Sequence, residues 1–136
     1  MNLVPFKPEH VQHMVIQAHQ QEAYLDGWEV PPGDAWTAFV DGEPIGCGGL
    51  TQLWRGRAMA WSILSRRAGP HMLAIVRVVR RKLDAEPFRR VEMAVRVGFD
   101  PGCRFADLLG FVIESKALAF MPDGGDAFIY ARVRNG

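Results

Sequence analysis

Apolar positions along the chain fall into short alternating stretches and longer periodic ones. Arg90–Val97 alternates cleanly. Val91, Met93, Val95 and Val97 lie on one side and Glu92, Ala94 and Arg96 on the other, which is the period of a strand. Residues 71–84 place Met72, Ile75, Val76, Val79 and Leu83 on one helical stripe, with Arg77, Arg80, Arg81 and Asp84 facing away. Val11, Met14, Val15, Ala18 and Leu25 share another helical face, opened by Pro8 and closed at Asp26-Gly27, with a loop over 27–34. Residues 2–6 predict a short strand. Ala35–Val40 and Pro44–Leu53 predict a hairpin through Asp41-Gly42, and Arg57–Leu64 follows a turn at Arg55-Gly56. Asp100-Pro101-Gly102 opens a short helix that stops at Gly110. Phe111–Phe120 and Ala127–Val133 complete the order β-α-β-β-β-α-β-α-β-β. That order predicts a single α+β domain over residues 1–136, with a mixed, mostly antiparallel sheet and helices on both faces.

Composition changes this picture little, and charge changes it more. About half the residues are apolar (49%), enough for a sizeable core. The longest apolar runs, such as Met72–Val76, are too short to span a bilayer, and the N-terminus lacks a secretory pattern, so a cytoplasmic protein is expected. Cys47 and Cys103 have no zinc spacing and read as reduced, partly buried thiols. The net charge of +1 conceals an asymmetry: residues 1–54 carry one lysine against seven acids, whereas residues 55–90 carry nine arginines and Lys82 against Asp84 and Glu86. Such a basic block suits a phosphorylated cofactor, an acidic partner or nucleic acid; equally, its helical arginines keep an amphipathic helix soluble.

The most informative stretch joins a central strand to the best helix: Leu64-Ser65-Arg66-Arg67-Ala68-Gly69-Pro70-His71-Met72. The first turn of a helix has unpaired N–H groups and a positive dipole end, so a glycine-bearing loop there suits a phosphate. Gly69 permits positive φ and close backbone approach, and Arg66 and Arg67 add charged donors. A strand-to-helix loop with Gly-Pro and basic neighbours can also be purely structural.

The element order and this loop resemble the GNAT N-acetyltransferase superfamily, whose pyrophosphate signature is Gln/Arg-x-x-Gly-x-Gly/Ala. Arg66-Arg67-Ala68-Gly69-Pro70-His71 matches the first two fixed positions and places His71 where the third is small. Leu108-Leu109-Gly110-Phe111 is similar to the family's Leu-Gly-Phe helix end. Together with Ala35–Ile45 it looks like small GNAT-like proteins encoded by bacteriophages. The resemblance implies an acetyl-CoA-dependent transferase acting on a primary amine of a small molecule or protein, without a metal. It implies that Ile63, Leu64, Ser65, Arg66, Arg67, Ala68, Gly69, Pro70, His71 and Met72 hold coenzyme A. In that reading the backbone of Ile63 and Ser65 pairs with the pantetheine arm, and residues 68–72 meet the diphosphate. It also implies an acceptor pocket near Trp28 and the last hairpin.

The departures concern catalysis. Many family members carry a Tyr four residues before the Gly of Leu-Gly-Phe; this chain has Ala106. Many carry a Glu on the fourth strand; Arg57–Leu64 has no carboxylate. Glu92 is the candidate replacement, acting as a water-relayed base if burial raises its pKa; otherwise it is an ordinary solvent-facing residue. Cys103 and Tyr130 are candidate acids or packing residues. His10 and His13 share a helix face while His19 points away, so one metal site is not expected. Trp36 and Trp61 are expected in the sheet, and Gly46, Gly48 and Gly49 suggest a bulge or close approach. A catalytically degenerate relative is the alternative: it would bind a host protein or serve as a virion or regulatory component. Nucleic-acid binding ranks last, because no reader motif accompanies the basic block. A homodimer through a free sheet edge stays open.

Overall fold

A computed structural model of the chain describes residues 1–16 and 29–134. The elements are β1 (Asn2–Pro5), α1 (Pro8–Gln12), β2 (Asp34–Val40), β3 (Glu43–Trp54), β4 (Arg57–Leu64), a 3₁₀ helix (Arg66–His71), α2 (Met72–Ala85), β5 (Arg90–Arg96), α3 (Asp100–Leu108), β6 (Val112–Ala117) and β7 (Ala127–Val133). The seven strands follow the order β1-β2-β3-β4-β5-β7-β6. β4 and β5 are parallel, whereas β1–β2, β2–β3, β5–β7 and β6–β7 are antiparallel. This is the α+β architecture with a mixed, mostly antiparallel sheet that the pattern predicts. The chain divides into two compact units, one of Met1–Thr51 with Ala60–Ile75 and one of Gln52–Met59 with Val76–Gly136.

In the first unit, β2 and β3 join through Asp41 (φ 50°) and Gly42 (φ 78°). Two successive residues at positive φ are what a two-residue hairpin matched to strand twist requires. The expected bulge is present: Ala38 pairs with Gly46 but Phe39 with Pro44, which leaves Ile45 extra. The close approach is present too. A Cβ on Gly48 would stand 2.6 Å from the Trp61 carbonyl oxygen, and one on Gly49 2.5 Å from that of Asp34. Met14, Cys47 and Ile63 form a buried cluster against which Phe6, Val11, Ile16 and Trp61 pack. Burial pushes the Cys47 thiol up to about 12, so it acts as an inert core group.

The first helix is shorter than its periodicity predicts. It ends at Gln12, and Val15 is exposed instead of joining Val11 and Met14. The chain turns extended there because the Val15 carbonyl accepts from the Arg66 N–H at 2.7 Å and Ile16 bridges Ser65. The β-branched Val15-Ile16 pair favours that conformation. Ala18, Leu25, the stop at Asp26-Gly27 and His19 lie outside the described residues.

His10 closes the short helix onto β2. Its Nδ1 accepts from the Lys7 N–H at 3.2 Å and lies 2.6 Å from Oγ1 of the fully buried Thr37. Phe6 and Phe39 meet its ring edge-on. An Nδ1 facing a donor must be unprotonated. Burial is the main cause that holds the His10 pKa below the usual histidine value; Lys7 and His13 add to it and Glu9 opposes it. The unfolded chain therefore takes the proton more readily than the folded one. Stability is expected to be fully present above the unfolded histidine pKa of about 6.5 and to fall as pH drops from there through the folded value. Urea melts between pH 7.5 and 5 should show this slope, and His10→Gln should flatten it.

In the second unit, β5 pairs with β4 through Arg57↔Arg90, Ala58↔Val91 and Met59↔Glu92, and with β7 along its full length. Helix α3 sits tightly on β5 at Gly102, where a Cβ would be 2.8 Å from Val95 Cγ1. Gly110 has φ 90° and ends α3 as the sequence predicts. Arg134 caps the C-terminus of α2, donating to the carbonyls of Leu83 (3.1 Å) and Glu86 (2.9 Å), where the dipole favours a cation.

Candidate functional site

The stretch after β4 lies in the first unit and is wound, where the sequence predicts a loop. Ser65 stands before it in extended conformation and caps it, its Oγ accepting from the Arg67 N–H at 3.1 Å. The Ser65 N–H donates to Ile45 O at 2.9 Å, and its carbonyl accepts from the Ala68 N–H at 3.0 Å. Ser65 thus uses all three polar groups inside the chain. It holds the junction rigid, and no backbone group of it points unpartnered at a pantetheine arm. Ile63 is fully buried and Leu64 partly so.

The same account applies to the wound segment. Arg66, Arg67, Ala68 and Met72 already place their N–H groups on Val15 O, Ser65 Oγ, Ser65 O and Gly69 O. Pro70 has no N–H to offer. Gly69 does not have positive φ, contrary to expectation. Among the described residues, a Cβ on Gly69 would meet nothing within 4 Å. Among the described residues this glycine is therefore required neither by backbone conformation nor by packing; it leaves an open face. Arg67 is held in an exposed ion pair with Glu43. Among the described residues the Arg66 guanidinium has no ion-pair or hydrogen-bond partner, and neither has the half-buried His71 ring. The side chains left without a partner here, among the described residues, are thus Arg66 and His71, on either side of Gly69 in the sequence.

Glu92 behaves differently from either expectation. It is buried, 4% exposed, yet its carboxyl is held below the usual range. Arg57 is the chief cause, donating Nε to Oε1 and Nη2 to Oε2, both at 2.8 Å. Desolvation pulls the other way, and Arg90 Nε, 2.6 Å from Oε1, adds to the lowering. Burial does not raise this pKa because two guanidinium groups outweigh it. A carboxylate so firmly ionised and bonded is an anchor, and a poor general base at neutral pH.

The candidate acids come together in the second unit. Tyr130 shares a side-chain hydrogen bond with Cys103, which with burial pushes the phenol up to about 12. Ala106, at the position where the resemblance implies a Tyr, is completely buried, and its carbonyl accepts from the Phe111 N–H at 3.0 Å. That position is filled by core packing. Trp28 lies outside the described residues.

The architecture has clear counterparts among solved structures. Ard1 from Thermoplasma volcanium superposes with a TM-score of 0.77 over 99% of this chain and 98% of its own, at 17% identity. A GNAT-family acetyltransferase from Elizabethkingia anophelis with acetyl-CoA bound gives 0.71 over 98% and 97%, at 12% identity. The chain has the fold of GNAT acetyltransferases. A spermidine N-acetyltransferase chimera from Vibrio cholerae shares that fold, with a TM-score of 0.72 over 98% and 96% at 12% identity. No protein-family model matches the chain, and no curated protein sequence does.

Proposed function

We propose that the chain binds acetyl-CoA and transfers its acetyl group to a primary amine of a small molecule or protein. The observation that carries this reading is the Ser65-capped junction between β4 and α2. There, Gly69 leaves an open face that no described residue fills, beside an Arg66 guanidinium without a partner among the described residues. In a GNAT fold this junction is where a diphosphate is expected, and a fold counterpart carries acetyl-CoA. Acetyl-CoA supplies an activated thioester: the amine lone pair forms the C–N bond, the C–S bond breaks, and the proton lost by the amine ends on the departing coenzyme A thiolate. In this reading Arg66 and His71 hold the phosphates and the cap at Ser65 fixes their geometry. Rate arises from positioning, because neither Glu92 nor Ala106 offers an acid or base. The spermidine enzyme of the same fold makes a polyamine a reasonable first acceptor.

The test is calorimetric titration of acetyl-CoA against the wild type and Gly69→Trp. The wild type should bind, and filling the open face should cost at least about tenfold in affinity. Absence of heat with wild type at millimolar ligand would sink the proposal. A second reading, a GNAT-fold protein that binds its ligand or a host protein without catalysis, is favoured by the packed Ala106 and the ion-paired Glu92. Binding of acetyl-CoA with no thiol release across a panel of amines would select it.

A further inference from the structure

The basic block of residues 55–90 is only partly accounted for by the Arg66 junction. Its two ends meet elsewhere. Parallel pairing sets Arg57 directly beside Arg90, so Arg55 and Arg89 join them around a cavity of about 370 Å³, floored by Glu92 and walled by Trp54. Four arginines line it. Two are neutralised: Arg57 by Glu92, and Arg90 by Glu92 and by Glu114, the last at 3.0 Å. The other two are not. Among the described residues Arg55 and Arg89 have no ion-pair or hydrogen-bond partner, and both are exposed. Arg89 Nη2 reaches over the turn, 4.0 Å from where a Cβ on Gly56 would stand. The cluster thus carries an excess of two positive charges at its mouth.

Trp54 adds an apolar surface. Arg57 lies over its ring, 4.3 Å from the centroid, while the residue remains 60% exposed. The exposed indole thus stands beside arginines that have no partner among the described residues. Stacking on the ring and charge-assisted donation to oxygen select the same kind of ligand.

We propose that this cavity binds a phosphomonoester bearing a planar ring, the phosphate dianion bridging Arg55 and Arg89 and the ring lying on Trp54. A nucleoside monophosphate has that chemistry. The site belongs to the start of β4, whereas the coenzyme junction follows its end, so the proposal does not rest on acetyl-CoA binding.

The test titrates the intact protein with adenosine 5′-monophosphate, inorganic phosphate and adenosine. The monophosphate should bind more tightly than either fragment. Arg55→Ala with Arg89→Ala should weaken it at least about tenfold, and Trp54→Ala should weaken the monophosphate but leave inorganic phosphate unchanged. Gly69→Trp should leave it unaltered, which separates this site from the coenzyme junction. Should the double alanine variant misfold, Arg55→Gln with Arg89→Gln is read instead, circular dichroism reporting the fold. The proposal is overturned if no monophosphate binding is detected at millimolar ligand, if the arginine variants bind as the wild type does, or if Gly69→Trp alone abolishes binding. Equal affinity for phosphate and monophosphate, or binding of a single-stranded oligonucleotide alone, overturns it as well.

Discussion

Replacing Glu92 by glutamine is expected to destabilise the protein by about 3 kcal/mol, the scale for breaking a buried ion pair from one side. The wild-type carboxylate is 5% exposed and receives three hydrogen bonds from Arg57 and Arg90, whose side chains are 28% and 31% exposed. Glutamine keeps the shape but removes the charge that both guanidinium groups face. The loss should stay below the upper end for such pairs, because both arginines can turn partly into water. The pH dependence follows from the same geometry. The folded carboxyl has a lower pKa than the unfolded one, so its stabilisation is complete above an unfolded value of about 4.3 and is lost as pH falls through the folded value. Urea melts at pH 7 and 4 should show a smaller difference in the variant than in the wild type. A double-variant cycle gives the sharper result: Arg57→Met with Glu92→Met should be less destabilising than Glu92→Met alone, since the single change strands a cation. A general base would act otherwise. Its removal would cost roughly a hundredfold or more in turnover while sparing stability, whereas an anchor spares turnover at temperatures where the variant is folded.

Glu92 also shows where the sequence stopped being legible. Its place on a strand follows from alternation alone, and β5 runs as the pattern predicts. Its partners do not follow from local pattern, because Arg57 lies 35 positions away and reaches it only through the parallel register of β4 and β5. The Arg55–Arg89 cavity was hidden for the same reason; the charge count located the block without showing that its ends converge. Elements whose causes are local were legible: the Asp41-Gly42 hairpin, the α2 stripe, the Gly110 stop and the order of helices and strands along the chain. Those with non-local causes were not. Helix α1 stops early because the Val15 carbonyl accepts from the distant Arg66 N–H, and the Arg66–His71 loop winds up because Ser65 caps it while holding Ile45.

Glycine provides the second large effect, through a contrast between two positions. Gly49→Ala is expected to cost about 3 kcal/mol, an overpacking penalty with no flexible neighbour to absorb it. The added methyl would lie 2.5 Å from the Asp34 carbonyl oxygen, 2.8 Å from Ala35 Cβ and 2.9 Å from Trp61 Nε1. Two of those three are backbone or Cβ atoms of β2, so relief requires moving β2 away from β3. Gly69→Ala makes the same chemical change where a methyl meets nothing and φ is not positive. Its stability should stay within about 0.5 kcal/mol of the wild type, or rise slightly as the unfolded chain loses freedom. Thermal melts of the two variants side by side read the difference directly. Gly49 is then a glycine the fold requires. Gly69 is one that packing among the described residues would give up, so the reason for glycine there lies elsewhere. If Gly69→Ala melts like the wild type yet binds acetyl-CoA more weakly, that reason is the ligand. If it destabilises the chain as Gly49→Ala does, the open face belongs to the fold, and the argument for a coenzyme site at this junction loses its main support.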